Sequence, residues 1–217
     1  MQRTLEPEIM DNPENVLAYA KADFSSVNQK FVDDLIKKYP DIKIILDLGC
    51  GPADIPIRLA QALPKVHITA IDASKKMIES AKVAVKKAKL NKHITLIQAY
   101  LPGIPFKSKT FDAIISNSIL HHLPNPNVLW EEIKKLGKSG SAVFVMDLLR
   151  PDSPAKAKEI VKQYSGNEHP VLKEDFYNSL LAAFTLDEIK EQLKKANLTN
   201  LNAETISDRH WLVTGVL

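Results

Sequence analysis

The chain has 217 residues, 45% of them hydrophobic and 25% charged, with a formal net charge of +3, which is typical of a soluble globular domain and identifies no anionic partner. One cysteine, Cys50, excludes an internal disulfide framework and a metal site built from several cysteines. Because no apolar stretch approaches the ~20 residues that span a bilayer, and the N-terminus lacks the apolar core of a signal peptide, we expect a cytoplasmic protein without a membrane span.

Short apolar runs alternate with helical patterns through the middle of the chain. The runs predict strands at 43–48, 66–71, 94–98, 111–116 and 141–146. The helical spacing of apolar residues predicts helices at 53–63, 74–88 and 127–136. Ser74 stands where an N-cap is expected for the second of these helices. Strands that alternate with helices in this way are typical of a parallel sheet covered on both faces.

Both ends of the chain depart from this alternation. Residues 12–39 contain two helical patterns before the first strand. After residue 150 a long helical stretch begins at Ser153-Pro154, which are typical of an N-cap and a first-turn proline. The segment from Thr185 to Glu188 has the pattern of a capping box and predicts the start of another helix. The alternating core therefore carries helical additions on both sides.

Two final strands are predicted at 200–205 and 210–216, and the tight turn between them makes this pair antiparallel. We therefore predict an α/β fold with a Rossmann-like, seven-stranded, mostly parallel sheet whose last strand is antiparallel. Helices cover both faces, with extra helices at the N-terminus and before the C-terminal strands. No linker indicates a second domain, so residues 1–217 are expected to form a single domain. Its parts are a helical cap (1–40), a cofactor-binding core (41–150), and a helical lid with the final strand pair (151–217).

A glycine turn follows the first predicted strand. The sequence Asp47-Leu48-Gly49-Cys50-Gly51 ends an apolar run in the way that a buried strand turns sharply into a helix. The first glycine makes the turn, and the second lets a ligand lie against bare backbone. Asp72 ends the next strand, where a carboxylate accepts hydrogen bonds from a ribose. Together these residues predict a nucleoside-binding site, with Asp47 placed to meet an ammonium group or only to cap the turn.

The same turn discriminates between classes of nucleoside. A dinucleotide-binding turn has the pattern Gly-x-Gly-x-x-Gly, because a third glycine lets helix and strand pack closely beside a pyrophosphate. Here that position is Asp54, whose carboxylate at a helix N-terminus repels the pyrophosphate of NAD or FAD. A positively charged nucleoside without phosphate, such as S-adenosylmethionine, has no such conflict.

Several ordered motifs resemble those of the class I S-adenosylmethionine-dependent methyltransferases. The resemblance covers about residues 42–150 and is closest to the small-molecule branch that contains the ubiquinone/menaquinone biosynthesis methyltransferases. The matching segments are residues 44–53 (motif I), 71–77 (second motif), 104–106 with 110–116 (the stretch leading into the fourth strand), and 121–126 (the segment after that strand).

The resemblance implies S-adenosylmethionine as cofactor and S-adenosylhomocysteine as its product. The second-motif acid would hold the ribose hydroxyls, and Met77 would flank the adenine. Two positions depart from the family pattern: Ala53 replaces the third glycine, and Tyr100 stands where relatives usually carry an Asp that binds the adenine amino group. The residues predicted to contact the cofactor are Asp47, Gly49, Cys50, Gly51, Asp72, Ala73, Met77, Tyr100, Leu101 and Ser116.

Methyl transfer asks little of protein side chains, because the sulfonium is already activated and alignment with the nucleophile supplies most of the acceleration. A base is needed only when the acceptor is protonated at neutral pH. The candidates are His121 and His122, just past the fourth strand, since histidine is the natural base near pH 7. The alternative is that these histidines only shape the loop or cap the following helix. No metal ion is expected.

Other sequence features limit the class of binding partner. The lysines of 74–88 lie mostly opposite the apolar face, which indicates a solvated surface, and no basic stripe with aromatics predicts nucleic-acid binding. We expect a small-molecule methyl acceptor, contacted by Tyr19, Asp23, Arg150 and Tyr177. The alternative function is a non-catalytic or regulatory protein that binds S-adenosylmethionine or a related adenosine thioether. The sequence leaves open the acceptor, the methylated atom and the oligomeric state, with a homodimer as one option.

Overall fold

A computed structural model describes residues 1–6 and 24–217 of the chain. Within these residues the strands are β1 (Ile44–Leu48), β2 (His67–Asp72), β3 (Ile94–Gln98), β4 (Phe111–Asn117), β5 (Gly137–Leu148), β6 (Asn202–Ser207) and β7 (His210–Val216). The α-helices are α1 (Ser25–Lys38), α2 (Asp54–Ala62), α3 (Lys75–Lys87), α4 (Asn127–Leu136), α5 (Pro154–Ser165), α6 (Pro170–Ala182) and α7 (Leu186–Lys195). A 3₁₀ helix, Leu120–His122, follows β4.

The seven strands form one sheet in the order β3-β2-β1-β4-β5-β7-β6. Strands β1 to β5 pair in parallel, whereas β7 inserts between β5 and β6 and is antiparallel to both. The pairing of Leu148 with His210 places the start of β7 at the carboxyl end of β5. The predicted sheet with an antiparallel last strand is confirmed. In this topology the carboxyl ends of β1, β2, β4 and β5 meet at one edge, where ligands bind in open α/β sheets.

Several element boundaries differ from the sequence prediction. Strand β5 is longer than predicted because it begins at Gly137, directly after α4 ends. The helical stretch after residue 150 is divided into α5 and α6, since α5 ends at Ser165, with Gly166 as its C-cap, and Pro170 starts a new helix. The first of the two helical patterns predicted in 12–39 lies outside the described residues; the second is α1.

Local capping chemistry agrees with the prediction at three helix starts. The Ser74 hydroxyl accepts from the backbone N–H of Met77, and that of Ser153 accepts from Lys156. Thr185 and Glu188 form a reciprocal capping box at the start of α7. These contacts satisfy backbone groups that a helix N-terminus leaves without intrahelical partners.

The sheet is buried on both faces. One core cluster contains Ile45 and Phe144, and the cluster on the opposite face contains Leu46 and Val143, as expected from the alternation of side chains along a strand. A third, smaller cluster joins α5 and α6 to the carboxyl end of β5 through Leu148. The helical pair therefore stands at the same edge of the sheet as the glycine turn. Among the described residues, no helix combines the length and apolarity needed to cross a membrane.

Candidate functional site

The turn after β1 is fixed to the end of β2 by backbone hydrogen bonds. The N–H groups of Gly49 and Cys50 both donate to the Ile71 carbonyl, at 2.9 and 2.8 Å. Both glycines have a positive φ, +79° at Gly49 and +52° at Gly51, in the left-handed region that favours glycine. Ala53 also lies in this region, at φ 68°, so the position of the missing third glycine keeps a left-handed backbone.

The two glycines serve different purposes. A Cβ added at Gly49 would collide with the side chain of Ile119, which follows β4 and packs against the turn. A Cβ added at Gly51 would meet nothing within 4 Å. Gly49 is thus needed for packing within the protein, whereas Gly51 faces space that a ligand can occupy.

Asp72 connects the end of β2 to this turn. One of its carboxylate oxygens accepts from the Gly51 N–H at 2.8 Å, and the other accepts from the Ser74 N–H at 2.9 Å. Burial raises the pKa of Asp72, and the two hydrogen bonds oppose this rise. Because each carboxylate oxygen has two lone-pair sites, Asp72 keeps acceptor capacity for a further ligand.

Asp47 lies in β1, two residues before the glycine turn, and is only 2% exposed. Burial, and then the charge of Asp72, raise the pKa of Asp47 to about 8. A buried acid of this kind stays neutral until a cation approaches it, because a positive charge favours ionisation of the carboxyl group. Asp47 is therefore suited to receive an ammonium group.

The other predicted cofactor residues surround this turn or follow the neighbouring strands. Cys50 is buried, which raises the pKa of its thiol well above the ordinary value. Met77 is buried in the first turn of α3, where its side chain belongs to the packed interior. The Ser116 hydroxyl donates to the Leu48 carbonyl at 2.9 Å and so joins β4 to β1.

The three remaining predicted cofactor residues follow β2 and β3. Ala73 directly follows Asp72 and accepts a hydrogen bond from Gln98 through its backbone carbonyl, at 3.1 Å. Tyr100 and Leu101 follow β3, and Tyr100 is 59% exposed. A tyrosine with that much free surface is available to a ligand, and its contact with adenine stays a prediction.

The two predicted catalytic histidines occupy different environments. His121 is 3% exposed, and its Nδ1 lies 2.5 Å from an oxygen of Asp147 at the end of β5. The His121 backbone N–H donates to the second oxygen of Asp147 at 3.2 Å. Burial disfavours the charged imidazole, but the Asp147 carboxylate outweighs this effect and raises the pKa of His121.

His122 is more open, with 29% of its side chain exposed. Its Nδ1 lies 2.5 Å from Glu6, whose other carboxylate oxygen accepts from the Ser179 hydroxyl at 2.5 Å. The ring centroids of His121 and His122 lie 4.1 Å apart, with the ring planes tilted by 37°. The two histidines therefore form one polar cluster with Glu6 and Asp147.

Glu6 reaches this cluster because the N-terminal segment is attached to α6 and to the 3₁₀ helix. The Thr4 N–H donates to the Leu181 carbonyl at 3.0 Å. The Arg3 guanidinium donates to the carbonyls of Ala182 and His121, at 2.6 and 2.7 Å. It also lies 4.0 Å above the Phe184 ring. These contacts hold residues 1–6 against the carboxyl edge of the sheet.

Sequence reasoning missed Glu6 and Asp147. Asp147 carries a usable signal, because an acid at the carboxyl end of a buried strand is the same feature that identified Asp47 and Asp72. Glu6 has no local signal, since only tertiary contacts bring it to His122. Ligand atoms of Glu6, His121 and His122 all lie within 4.8 Å of one another, so this trio has the donor types of a metal site.

Two of the four predicted acceptor-binding residues, Arg150 and Tyr177, lie within the described part of the chain. Arg150 is 8% exposed and donates to the Ala183 carbonyl at 3.1 Å and to Glu188 at 2.7 Å. Tyr177 lies on α6 and packs against the third core cluster. Tyr19 and Asp23 lie outside the described residues. The contact of these four residues with an acceptor stays a prediction.

Asp54 begins α2 beside the glycine turn. Its carboxylate pairs with Arg58 at 2.8 Å and accepts from the Asn28 side chain at 2.9 Å. An acid therefore stands at the helix N-terminus, where a dinucleotide-binding site would place a pyrophosphate.

Known proteins share both the sequence pattern and the fold. The chain is 26% identical over 163 residues to the 27-O-demethylrifamycin SV methyltransferase of Amycolatopsis mediterranei, a match that covers 75% of this chain and 56% of the relative. It is 28% identical over 136 residues to the demethylmenaquinone methyltransferase of Listeria welshimeri, covering 62% and 57%. The chain thus spans somewhat over half the length of these relatives.

Two solved structures have the same fold. A SAM-dependent methyltransferase from Aquifex aeolicus has a TM-score of 0.68 at 17% identity, covering 92% of this chain and 96% of that one. The plantazolicin methyltransferase in complex with SAH has a TM-score of 0.71 at 17% identity, covering 94% and 91%. A family model described as a methyltransferase domain matches residues 41–204, which include the glycine turn, Asp72, His121 and His122. The chain belongs to this methyltransferase-domain family.

Proposed function

We propose that the protein transfers a methyl group from S-adenosylmethionine to a small-molecule acceptor by in-line displacement. The observation that carries this proposal is the junction of Gly51 and Asp72, which are hydrogen-bonded at 2.8 Å beside the open space at Gly51, with the buried Asp47 within electrostatic range of Asp72. Each of the three has the chemistry that a different part of the donor requires.

The donor contacts follow from these properties. Asp72 accepts hydrogen bonds from the ribose hydroxyls with the lone pairs that Gly51 and Ser74 leave free. The bare backbone of Gly51 lets the nucleoside approach closely. Asp47 ionises as the donor's ammonium group arrives, because the positive charge offsets the burial that keeps the carboxyl neutral. The remaining cofactor residues predicted from the sequence line the adenine and methionine ends.

The reaction is a displacement at the sulfonium methyl group. A nucleophile on the acceptor forms a bond to the methyl carbon, the carbon–sulfur bond breaks, and its electron pair goes to sulfur to leave a neutral thioether. The protein contributes mainly by holding nucleophile and methyl group in line. When the acceptor is a hydroxyl that keeps its proton at neutral pH, His121 and His122 are the predicted bases that accept this proton.

The acceptor class is supported by the curated relatives. Their names specify a rifamycin and a demethylmenaquinone, both small molecules. We infer that the acceptor enters between the donor site and the α5–α6 pair, with residues 1–40 as a cap and 151–217 as a lid. Tyr19, Asp23, Arg150 and Tyr177 are the polar groups predicted to contact it, and a homodimer stays a prediction.

The test is methyl transfer by the full chain. Purified protein is incubated with S-adenosylmethionine labelled on its methyl group and with small-molecule extracts, and label is followed into small molecules by mass spectrometry. Asp72→Asn is expected to lose most of this transfer, whereas Asp112→Asn should retain it, because Asp112 pairs with Lys138 at the opposite edge of the sheet. Tight donor binding without label transfer across varied extracts would instead favour a non-catalytic binding protein.

A further inference from the structure

We propose that Glu6, His121 and His122 form a binding site for one divalent transition-metal cation at the acceptor side of the methyl donor. Two imidazoles and one carboxylate are a common ligand set for such ions, and three protein ligands leave coordination positions open for water or substrate. The site is built from the N-terminal segment and the 3₁₀ helix after β4, so it exists only in the folded chain.

The geometry of the three side chains supports coordination. Their ligand atoms all lie within 4.8 Å of one another, and the centroids of the two imidazole rings are 4.1 Å apart. Metal–nitrogen and metal–oxygen bonds are about 2.0–2.2 Å long, so ligand atoms around one ion stand at most about 4 Å apart. A small movement of the partly exposed His122 toward the buried His121 closes that difference.

Two outer residues orient the ligands in the way that metal sites require. Asp147 lies 2.5 Å from Nδ1 of His121 and also accepts from the His121 backbone, which leaves Nε2 as the nitrogen with a free lone pair. The Ser179 hydroxyl donates to one oxygen of Glu6 and holds that carboxylate in place. A carboxylate behind a histidine ligand is the usual device that fixes the tautomer and direction of a metal-binding imidazole.

The charges around the cluster favour a cation. The carboxyl groups of Glu6, Asp72, Asp147 and Asp175 all lie within electrostatic range of His122. Arg3 opposes this negative field, but its guanidinium is bonded to backbone carbonyls and is stacked on Phe184. In the structure Nδ1 of His122 lies 2.5 Å from a carboxylate oxygen of Glu6, a contact that an incoming cation would replace.

The cluster also stands beside the donor site. Ile119 packs against Gly49 of the glycine turn, and the 3₁₀ helix begins at the next residue. His122 also lies within electrostatic range of Asp72, the acid that ends β2. An ion held here is therefore placed to coordinate an acceptor oxygen near the transferred methyl group.

This placement deepens the proposed function by assigning an acceptor class, and the assigned role rests on that function. A hydroxyl or phenol oxygen bound to the cation loses its proton to water at a lower pH than in solution. The resulting oxyanion attacks the methyl carbon, the carbon–sulfur bond breaks with its electron pair going to sulfur, and the products are a methyl ether and the thioether. The cation and its three protein ligands are unchanged.

The test is direct metal binding by the full chain. After dialysis against a chelator, the protein is titrated with Zn²⁺ by calorimetry and with Co²⁺ by visible absorption. We expect one ion per chain, with the dissociation constant raised at least tenfold in Glu6→Gln and in His122→Asn, and by about 10- to 100-fold in Asp147→Asn. The matched control is His67→Asn, because His67 stacks on His93 at the surface, with centroids 6.3 Å apart, and should not change the binding.

Absence of a stoichiometric ion in the wild type, or loss of binding in His67→Asn but not in Glu6→Gln, would overturn the site. Donor binding by Glu6→Gln, measured by calorimetry, should match the wild type and shows that this variant folds. Failure of the inference is distinguishable from failure of the proposed function. Undiminished methyl transfer by chelated, metal-free protein contradicts the metal's role alone, whereas stoichiometric metal binding without transfer to any acceptor contradicts the methyltransferase activity.

Discussion

The carboxylate of Asp72 accepts a hydrogen bond from the backbone N–H of Gly51 at 2.8 Å and so joins the tip of β2 to the turn after β1. This hydrogen bond fixes the position of the Asp72 carboxylate relative to the Gly51 backbone, which faces open space. Donor recognition and the shape of the turn therefore depend on the same side chain.

Replacing Asp72 with alanine should weaken donor binding by about 1–3 kcal/mol, the usual cost of losing a charged hydrogen-bond acceptor. Calorimetric titration with S-adenosylmethionine measures the change. Asp112→Ala is the matched control, since it removes an acid from β4 at the opposite edge of the sheet, where Asp112 pairs with Lys138. An unchanged dissociation constant in Asp72→Ala would remove the ribose assignment.

Alanine at the two turn glycines should have different consequences. Gly49→Ala places a Cβ against Ile119 as well as in a strained backbone, so we expect it to lose about 1–3 kcal/mol more stability than Gly51→Ala. Urea unfolding of the two variants compares these losses. Gly51→Ala should instead weaken donor binding, because its Cβ points into open space.

The double variant Gly49→Ala/Ile119→Ala checks the cause of the larger loss. If the collision with Ile119 is responsible, the second substitution should recover part of the stability that the first one removes. Equal destabilisation by Gly49→Ala and Gly51→Ala, with no recovery in the double variant, would contradict the packing role of Gly49.

Asp47 should make stability depend on pH. Its pKa is about 8 in the folded protein and near 3.8 when unfolded, so between these values the folded state holds a proton that the unfolded state has lost. The free energy of unfolding contributed by Asp47 therefore falls as pH rises from about 4 to 8, by at most about 1.4 kcal/mol per pH unit. Urea unfolding at several pH values should show a flatter dependence in Asp47→Asn than in the wild type.

Donor affinity should change with pH in the opposite direction. Asp47 must lose its proton to receive the donor's ammonium group, so S-adenosylmethionine should bind more tightly as pH rises toward 8. Calorimetry in buffers of different ionisation enthalpy measures the proton released on binding. Release that is as large in Asp47→Asn as in the wild type would show that another group is responsible.

Arg150 should act on stability more than on acceptor binding. Its guanidinium is buried and bonded to the Ala183 carbonyl and to Glu188, so Arg150→Ala should lower the free energy of unfolding by about 2 kcal/mol. Glu188→Gln, which keeps a hydrogen-bond acceptor, should cost less. A raised KM for the acceptor with unchanged unfolding would instead support the substrate contact predicted from the sequence.

The sequence alone determined the features that a few neighbouring residues encode. The caps at Ser74 and Thr185, the left-handed glycines after β1 and the alternation of strands and helices all depend on local backbone chemistry and on the spacing of apolar residues. The antiparallel pairing of β6 with β7 was also predictable, because a short turn between two adjacent strands permits no other direction.

Only the tertiary structure decided which groups meet at the edge of the sheet. The pairing of Glu6 with His122 and of Asp147 with His121 joins segments that are far apart in the chain, and no local pattern specifies such a contact. Burial likewise depends on every element that packs around a site, which is why the raised pKa of Asp47 and the enclosed guanidinium of Arg150 could not be anticipated. The nucleoside-binding turn is encoded by consecutive residues, whereas the polar cluster of Glu6, His121, His122 and Asp147 forms only when distant segments pack together.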